Sequence, residues 1–98
     1  MNAKEVYECI CYEQMRADDT NEPIHFVMKS EDDIMAQGFI YPDGGMSMNL
    51  MAGVVYVRLF FNELSVDGEY IYLYYEEEER TEYIGMIACA EVSAFEVD

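Results

Sequence analysis

Carboxylates dominate the charge of this chain and limit the shapes into which it can fold. The sequence has 21 Asp and Glu residues but only five Lys and Arg residues, which gives a formal net charge of −16 over 98 residues. Because like charges repel each other, this excess destabilises a compact state. Ten of the acids lie in three clusters, namely Asp18, Asp19 and Glu22; Glu31, Asp32 and Asp33; and Glu76, Glu77, Glu78 and Glu79.

Apolar residues are frequent enough to form a core. They make up 52% of the chain, including many aromatic and β-branched residues, whereas acidic disordered tails lack these residue types. A chain of 98 residues suits one domain with one core. We therefore expect a single domain over residues 1–98.

The chain carries no signal for a membrane or for an oxidising compartment. No apolar run approaches the roughly 20 residues of a membrane-spanning helix, and the N-terminus has no basic segment followed by an apolar one. The three cysteines, Cys9, Cys11 and Cys89, lack the spacing of a disulfide framework, which favours reduced thiols. We expect a cytoplasmic protein that makes no contact with a membrane.

An amphipathic helix is predicted over residues 3–16. Asn2 and Glu5 have the spacing of a capping box at its start, and the acidic segment after Ala17 supplies a stop and a loop. The apolar side chains fall on one side of a helical wheel: Ala3, Val6, Tyr7, Ile10 and Cys11. The segment is also rich in residues that favour strands, so a strand is the alternative.

The next part of the chain predicts a strand, a short helix and a hairpin. Residues 24–28 form the strand, and Ser30 can cap a short second helix that Gly38 would end. Residues 42–45 form the turn of the hairpin. The run over residues 54–61 is apolar on nearly both faces, which is typical of a central strand covered on both sides.

The last third of the chain predicts two more strands. Residues 70–75 and 81–90 alternate as strands do, and the acidic run 76–79 forms the end of the first strand and its turn. The fold class is therefore α+β, with an antiparallel sheet of about five strands, the N-terminal helix packed on one face and a short second helix.

The sequence gives no support for a metal site or for catalysis. Cys9, Cys11, Cys89 and His25 are residue types that bind zinc, but two residues that are two apart on a helix point about 200° from each other. On a strand, Cys9 and Cys11 would share a face. The motifs of nucleophilic elbows, phosphate-binding loops, zinc proteases, dinucleotide sites and EF-hands are all missing. We expect no catalytic residue, no metal and no cofactor, and hence not an enzyme.

The charge points to a basic protein as the partner. It repels nucleic acid and anionic membranes and attracts basic surfaces. Residues 1–49 carry 10 acids and 3 bases and residues 50–98 carry 11 and 2, so the excess is not confined to a tail, although a single acidic run often only solvates a loop. Along a strand, Glu76 and Glu78 lie on one side and Glu77 and Glu79 on the other, which resembles the charge of a nucleic-acid backbone. The predicted partner-binding residues are Glu76, Glu77, Glu78, Glu79 and Glu82, followed by Glu31, Asp32, Asp33, Asp18, Asp19 and Glu22.

In size, charge and α+β pattern, the whole chain resembles the small acidic inhibitors of phages and mobile elements, the anti-CRISPR and anti-restriction proteins, several of which are DNA mimics. No motif aligns, so no residue can be carried over by position. The resemblance implies a stoichiometric inhibitor that occupies the nucleic-acid-binding surface of a host defence protein such as a CRISPR effector. A phage-encoded protein of this kind would act in the host cytoplasm.

The tyrosines provide an alternative. Tyr70, Tyr72 and Tyr74 share one face of their predicted strand and Ile71, Leu73 and Tyr75 the other. Tyrosine is enriched at protein interfaces, and the stripe either packs under the helix or faces a partner or a second copy of the chain in a homodimer. The alternative function is therefore a non-catalytic adaptor or assembly module that binds a protein through its Tyr and Met surface.

Overall fold

The fold is α+β, as predicted. The computed structural model describes the backbone of residues 1–52 and 55–98, and the side chains of residues 1–50 and 57–98. Within these ranges it contains one α-helix, eight strands and two 3₁₀ turns. They are α1 (Ala3–Thr20), β1 (Ile24–Ser30), β2 (Asp33–Ile40), a 3₁₀ turn (Pro42–Gly44), β3 (Met46–Ala52), β4 (Val55–Phe61), β5 (Glu63–Asp67), β6 (Tyr70–Glu77), β7 (Arg80–Ala88), a 3₁₀ turn (Cys89–Glu91) and β8 (Ala94–Val97).

The strands form two antiparallel sheets. The larger sheet has five strands in the order β4-β3-β2-β1-β8, and the smaller has three in the order β5-β6-β7. The prediction of a single sheet of about five strands is therefore wrong, because the predicted strands at 70–75 and 81–90 belong to the smaller sheet. The chain passes from one sheet to the other at Asn62, because β4 ends at Phe61 and β5 begins at Glu63. The second sheet was not predicted, because the sequence shows no feature that separates it from the first.

Helix α1 begins with the predicted capping box. The Glu5 N–H donates to Asn2 Oδ1 at 2.8 Å, and the Asn2 N–H donates to Glu5 Oε1 at 3.0 Å. The helix runs to Thr20, four residues beyond the predicted end at residue 16. It ends at Asn21, which adopts a left-handed conformation (φ 55°) and whose N–H donates to the Ala17 carbonyl. No helix among the described residues is long and apolar enough to cross a membrane.

The core lies between α1 and the inner faces of both sheets. Val6 and Ile10 come from the helix, Phe26 and Met48 from the larger sheet, and all four are at most 1% exposed. They belong to one cluster of buried side chains with three residues of the smaller sheet: Ile71, Leu73 and Ile87.

The predicted short second helix is wrong, because its residues form strand β2. Residues 31–32 are a hairpin turn, and β2 pairs with β1 on one side and with β3 on the other. Gly38 lies in the middle of this strand, where a Cβ atom would overlap the backbone of Ser47. The glycine therefore allows a close approach of two strands and does not end a helix. The helical segments besides α1 in the described ranges are the two 3₁₀ turns.

The predicted central strand is also wrong, because β4 lies at the edge of the larger sheet. Val57 and Phe60 are 38% and 54% exposed, although Phe61 is buried. The apolar run therefore does not have two covered faces over residues 57–61. Val54, where the prediction started, lies outside the described residues.

The strands predicted in the last third of the chain are present as β6 and β7, but β7 ends at Ala88, and residues 89–90 of the prediction lie in the second 3₁₀ turn. Ile71 and Leu73 are buried and the tyrosines at 70, 72 and 74 lie on the opposite, outer face. Tyr75 is 39% exposed, although the alternation places it with Ile71. The register between β6 and β7 shifts just before Tyr74, where Ile84 of β7 is the additional residue.

Candidate functional site

Five carboxylates from separate parts of the chain meet at one end of the molecule. Asp43, Glu63, Glu76 and Glu78 line a shallow depression of about 360 Å³. Asp18, from the last turn of α1, joins them because its Oδ1 accepts a hydrogen bond from the Asp43 N–H at 2.8 Å. Asp18 and Glu63 also line a neighbouring depression of about 240 Å³. We call these five residues the acidic end.

Asn62 fixes the geometry of this end. Its side-chain amide donates to the Glu76 carbonyl at 2.9 Å and accepts from the Glu76 N–H at 2.7 Å. The Asn62 N–H also donates to the Tyr74 carbonyl at 3.0 Å. The segment at Asn62, where the chain passes from one sheet to the other, is thus held against β6. This places the Glu63 carboxylate beside the Glu76–Glu78 segment.

No basic side chain neutralises the acidic end among the described residues that line its two depressions. Arg16 pairs with Glu13 at 2.7 Å and Lys29 with Glu96 at 2.8 Å. The hydrogen bond to Glu96 and the charge of that carboxylate raise the pKa of Lys29. The Arg58 guanidinium lies 5.5 Å from the centre of the Phe60 ring. Arg80 lines a separate depression with Glu77 and Glu82. The two depressions of the acidic end therefore have no cationic side chain in their described lining.

Three acidic residues adopt a backbone conformation that favours glycine. Glu31, Asp43 and Glu78 have φ values of 56°, 76° and 49°, and this left-handed region costs a non-glycine residue about 1–2 kcal/mol. Glu31 and Glu78 are each the first residue of a two-residue hairpin turn. The β5–β6 hairpin has Gly68 at the same turn position, with φ 63°. The chain therefore keeps a carboxylate at two turns where a glycine would be more stable.

The C-terminal end of helix α1 also carries acidic residues where they are locally unfavourable. Its last turn contains Asp18 and Asp19 and has no basic residue. Carboxylates at a helix C-terminus interact unfavourably with the helix dipole, with a typical magnitude of about 0.3–1 kcal/mol. The negative charge is thus retained at three structural positions that do not favour it.

Replacing Glu78 with glycine should stabilise the protein by about 0.5–1 kcal/mol, because the relief of left-handed strain exceeds the extra entropy that glycine loses on folding. The matched reverse change, Gly68→Glu, should destabilise it by a similar amount. Urea unfolding followed by circular dichroism measures both. A Glu78→Gly variant that is less stable than the parent would contradict the strain argument.

The predicted cluster at residues 76–79 divides between two sides of its hairpin. Glu76 and Glu78 line the depression of the acidic end, whereas Glu77 and Glu82 line a smaller one of about 110 Å³ with Tyr75 and Arg80. Glu76 and Glu77 lie in β6 and face different depressions, whereas Glu78 and Glu79 form the hairpin turn, so strand alternation does not apply to them. Asp19, Glu22 and Glu79 are exposed near the same end.

The other predicted cluster does not join the acidic end. Glu31, Asp32 and Asp33 follow the far end of β1, whose near end at Ile24 comes just after helix α1. Strand β1 has seven residues, which corresponds to about 20 Å. The structure therefore separates this cluster from Asp18 and from the residues that meet it.

Sequence reasoning missed two members of the acidic end. Asp43 and Glu63 are single acids with no acidic neighbour, so a search for acidic clusters passes over them. Asp43 does lie in the predicted turn at residues 42–45, which is an indication of exposure but not of its neighbours. Their proximity to Glu76 comes from the crossing between the two sheets.

The cysteines and the histidine do not converge. Cys9 and Cys11 are half-buried on α1, Cys89 is buried, and all three are free thiols. His25 Nδ1 lies 2.7 Å from Asp98 Oδ2. Within the described part of the chain, no group of three or more His, Cys, Asp or Glu residues has an arrangement that could hold a metal ion.

Comparisons of this chain with protein-family models, with curated proteins and with solved structures gave no match. Its function therefore has to be inferred from the arrangement of its own residues.

Proposed function

We propose that this protein is a stoichiometric inhibitor that binds the basic nucleic-acid-binding surface of a host defence protein, such as a CRISPR effector. The acidic end takes the place of phosphate groups in that surface. One observation carries the proposal: four parts of the chain bring together five carboxylates, which line two neighbouring depressions whose described linings have no basic residue. The interaction needs no chemistry beyond charge and shape.

The physical basis is the complementarity of two charged surfaces. A groove that binds nucleic acid is rich in Lys and Arg residues, which neutralise the phosphates. An acidic protein of net charge −16 is attracted to such a groove over distances of about a Debye length, roughly 8–10 Å at physiological salt. The attraction accelerates association and weakens as salt is added.

The local conformation supports a role for the charge itself. Asp43 and Glu78 are held in a left-handed conformation, and Asp18 lies at the unfavourable end of a helix. Local rules are most often broken where function requires it. A role in solubility does not require carboxylates at these particular positions, because a net charge of magnitude about 2–8 is sufficient for a small domain.

Capture from a lysate of the host at low salt, followed by elution with a salt gradient, tests this proposal. We expect the captured proteins to be dominated by nucleic-acid-binding proteins that elute as the salt rises. Duplex DNA or RNA added to the bound fraction should release them, because it competes for the same basic surface. If the captured proteins stay bound at high salt and are not released by the added nucleic acid, phosphate mimicry is excluded.

The alternative is an adaptor that binds through its tyrosines, and the outer face of the smaller sheet supports it. Tyr70, Tyr72, Tyr83 and Tyr74 form a continuous row in that order, with successive ring centres 6.4, 6.3 and 5.8 Å apart. Met86, which is opposite Tyr72 in the β6–β7 pairing, is 49% exposed. This surface could bind a protein partner or a second copy of the chain without help from the charge.

The substitution Tyr72→Ala distinguishes the two functions. Under phosphate mimicry, it should change the affinity for the captured partner less than about twofold, because Tyr72 lies outside the acidic end. An interface centred on the tyrosines predicts a loss of about 2 kcal/mol or more that persists at high salt. Titration calorimetry at two salt concentrations measures both quantities.

A further inference from the structure

A second surface lies at the other end of helix α1, between the helix and strand β8. It is a cleft of about 440 Å³, within the range of about 300–1,000 Å³ that is usual for ligand sites. Its apolar side includes Met1, Phe95 and Val97, and the helix contributes Glu5, Glu8 and Glu13. None of the described side chains that line it is basic, and the ammonium group of Met1 donates to the Val92 carbonyl.

Strand β8 presents an open edge beside this cleft. It is the last strand of the larger sheet, and β1 is its one partner among the described strands. The Asp98 N–H donates to the His25 carbonyl, and Val97 is opposite Phe26. Because antiparallel pairs alternate between bonded and non-bonded residues, the N–H and C=O groups of Phe95 and Val97 point away from β1. The two residues that line the cleft thus also offer unpaired backbone groups.

The three carboxylates act together on the interior of the cleft. Burial raises the pKa of the Cys9 thiol, and the charges of Glu13, Glu5 and Glu8 raise it further. Glu13 is mostly buried and pairs with Arg16 at 2.7 Å, and Glu5 accepts the capping hydrogen bond from Asn2. Glu8 is exposed and has no ion-pair partner among the described residues. The cleft therefore combines an apolar floor with a negative rim.

We propose that this cleft binds an extended segment of a partner protein that carries Lys or Arg at alternate positions. The segment adds a strand to the larger sheet beside β8 and bonds to the backbone of Phe95 and Val97, which is a known mode of peptide recognition. The methylene stems of its basic side chains cover Phe95 and Val97, and their charged ends reach the rim at Glu5 and Glu8. This site is distinct from the acidic end, which lies beyond the opposite end of α1.

A short acetylated peptide of alternating lysine and threonine is the probe, used at 0.15 M salt. Amide hydrogen exchange measured by NMR follows the backbone of β8, with and without the peptide. The Phe95 and Val97 amides should exchange more slowly in the complex. A control peptide of the same sequence and charge, methylated on alternate backbone nitrogens, should bind at least about tenfold more weakly, because it cannot supply the strand hydrogen bonds.

Two variants at one position separate backbone from side-chain contributions. Val97→Pro removes an N–H that does not bond to β1, which an edge strand tolerates, and it should lower affinity about tenfold. Val97→Ala keeps that N–H and should have a smaller effect. If Val97→Pro does not fold, exchange protection in the unmodified chain decides the question. Binding without protection of Phe95 and Val97, or equal binding of both peptides, would overturn the proposal, and neither result would affect the proposed function of the acidic end.

Discussion

Replacing Glu63, Glu76 and Glu78 together with glutamine is expected to weaken binding to the basic partner about 30-fold, because three contacts of about 0.5–1 kcal/mol each are lost. The dependence of affinity on salt should become flatter as well, since fewer charges take part in the contact. The three side chains line one depression at the acidic end, so they would face a docked basic groove at the same time. Titration calorimetry at 0.1 M and 0.4 M salt measures both effects.

The chain provides a closely matched control in Glu31, Asp32 and Asp33. Their replacement by glutamine or asparagine also removes three charges, and each triple includes one residue at the first position of a hairpin turn with positive φ, Glu31 or Glu78. We expect this control to retain most of the parent affinity, because its residues lie about one strand length from the acidic end. Equal losses in the two triples would mean that only the total charge matters, and the acidic end would then not be the binding site.

The substitution Gly38→Ala is expected to destabilise the protein by about 3 kcal/mol or more, which is at or above the usual cost of overpacking a core. The added methyl group would overlap the backbone of Ser47 in the neighbouring strand. A backbone obstacle of this kind cannot rotate away as a side chain could, so the strands β2 and β3 would have to separate. Urea unfolding gives the change in the free energy of unfolding.

Gly85→Ala is the control for this prediction. A Cβ atom at Gly85 would lie 3.5 Å from Leu59 Cδ1, an ordinary contact with a side chain that can move. We expect a change of less than about 1 kcal/mol, since alanine also reduces the entropy of the unfolded chain. Similar stabilities of the Gly38→Ala and Gly85→Ala variants would show that the close approach of β2 and β3 is not the constraint on Gly38.

The parts of the fold that local patterns determine could be predicted from the sequence. The capping box at Asn2 and Glu5 fixed the start of α1, and alternation identified β6 and β7. The helix extends past residue 16 because an acidic residue does not by itself end a helix, whereas the left-handed Asn21 does. The sequence predicts a helix for the part of β2 before Gly38, because Ser30 and Gly38 have the spacing of helix caps. Pairing on both sides with β1 and β3 overrides that local preference.

The parts that depend on distant contacts could not be predicted. The apolar run ending at Phe61 suggested a central strand, but its place at the sheet edge follows from the crossing at Asn62. The same crossing brings Glu63 beside Glu76 and Asp43. The sequence therefore indicated which kind of residue would form the site and missed two of its members, because their proximity is a property of the tertiary structure.

The C-terminal end of helix α1 has no basic residue in its last turn, and this affects how a complex would form. Asp18 and Asp19 leave the C-terminal carbonyls of the helix without a nearby cation. A lysine or arginine of the partner that docks at Asp18 would supply this missing positive charge and act as an external cap for the helix. The same contact that holds the two proteins together would then also strengthen the fold of this protein.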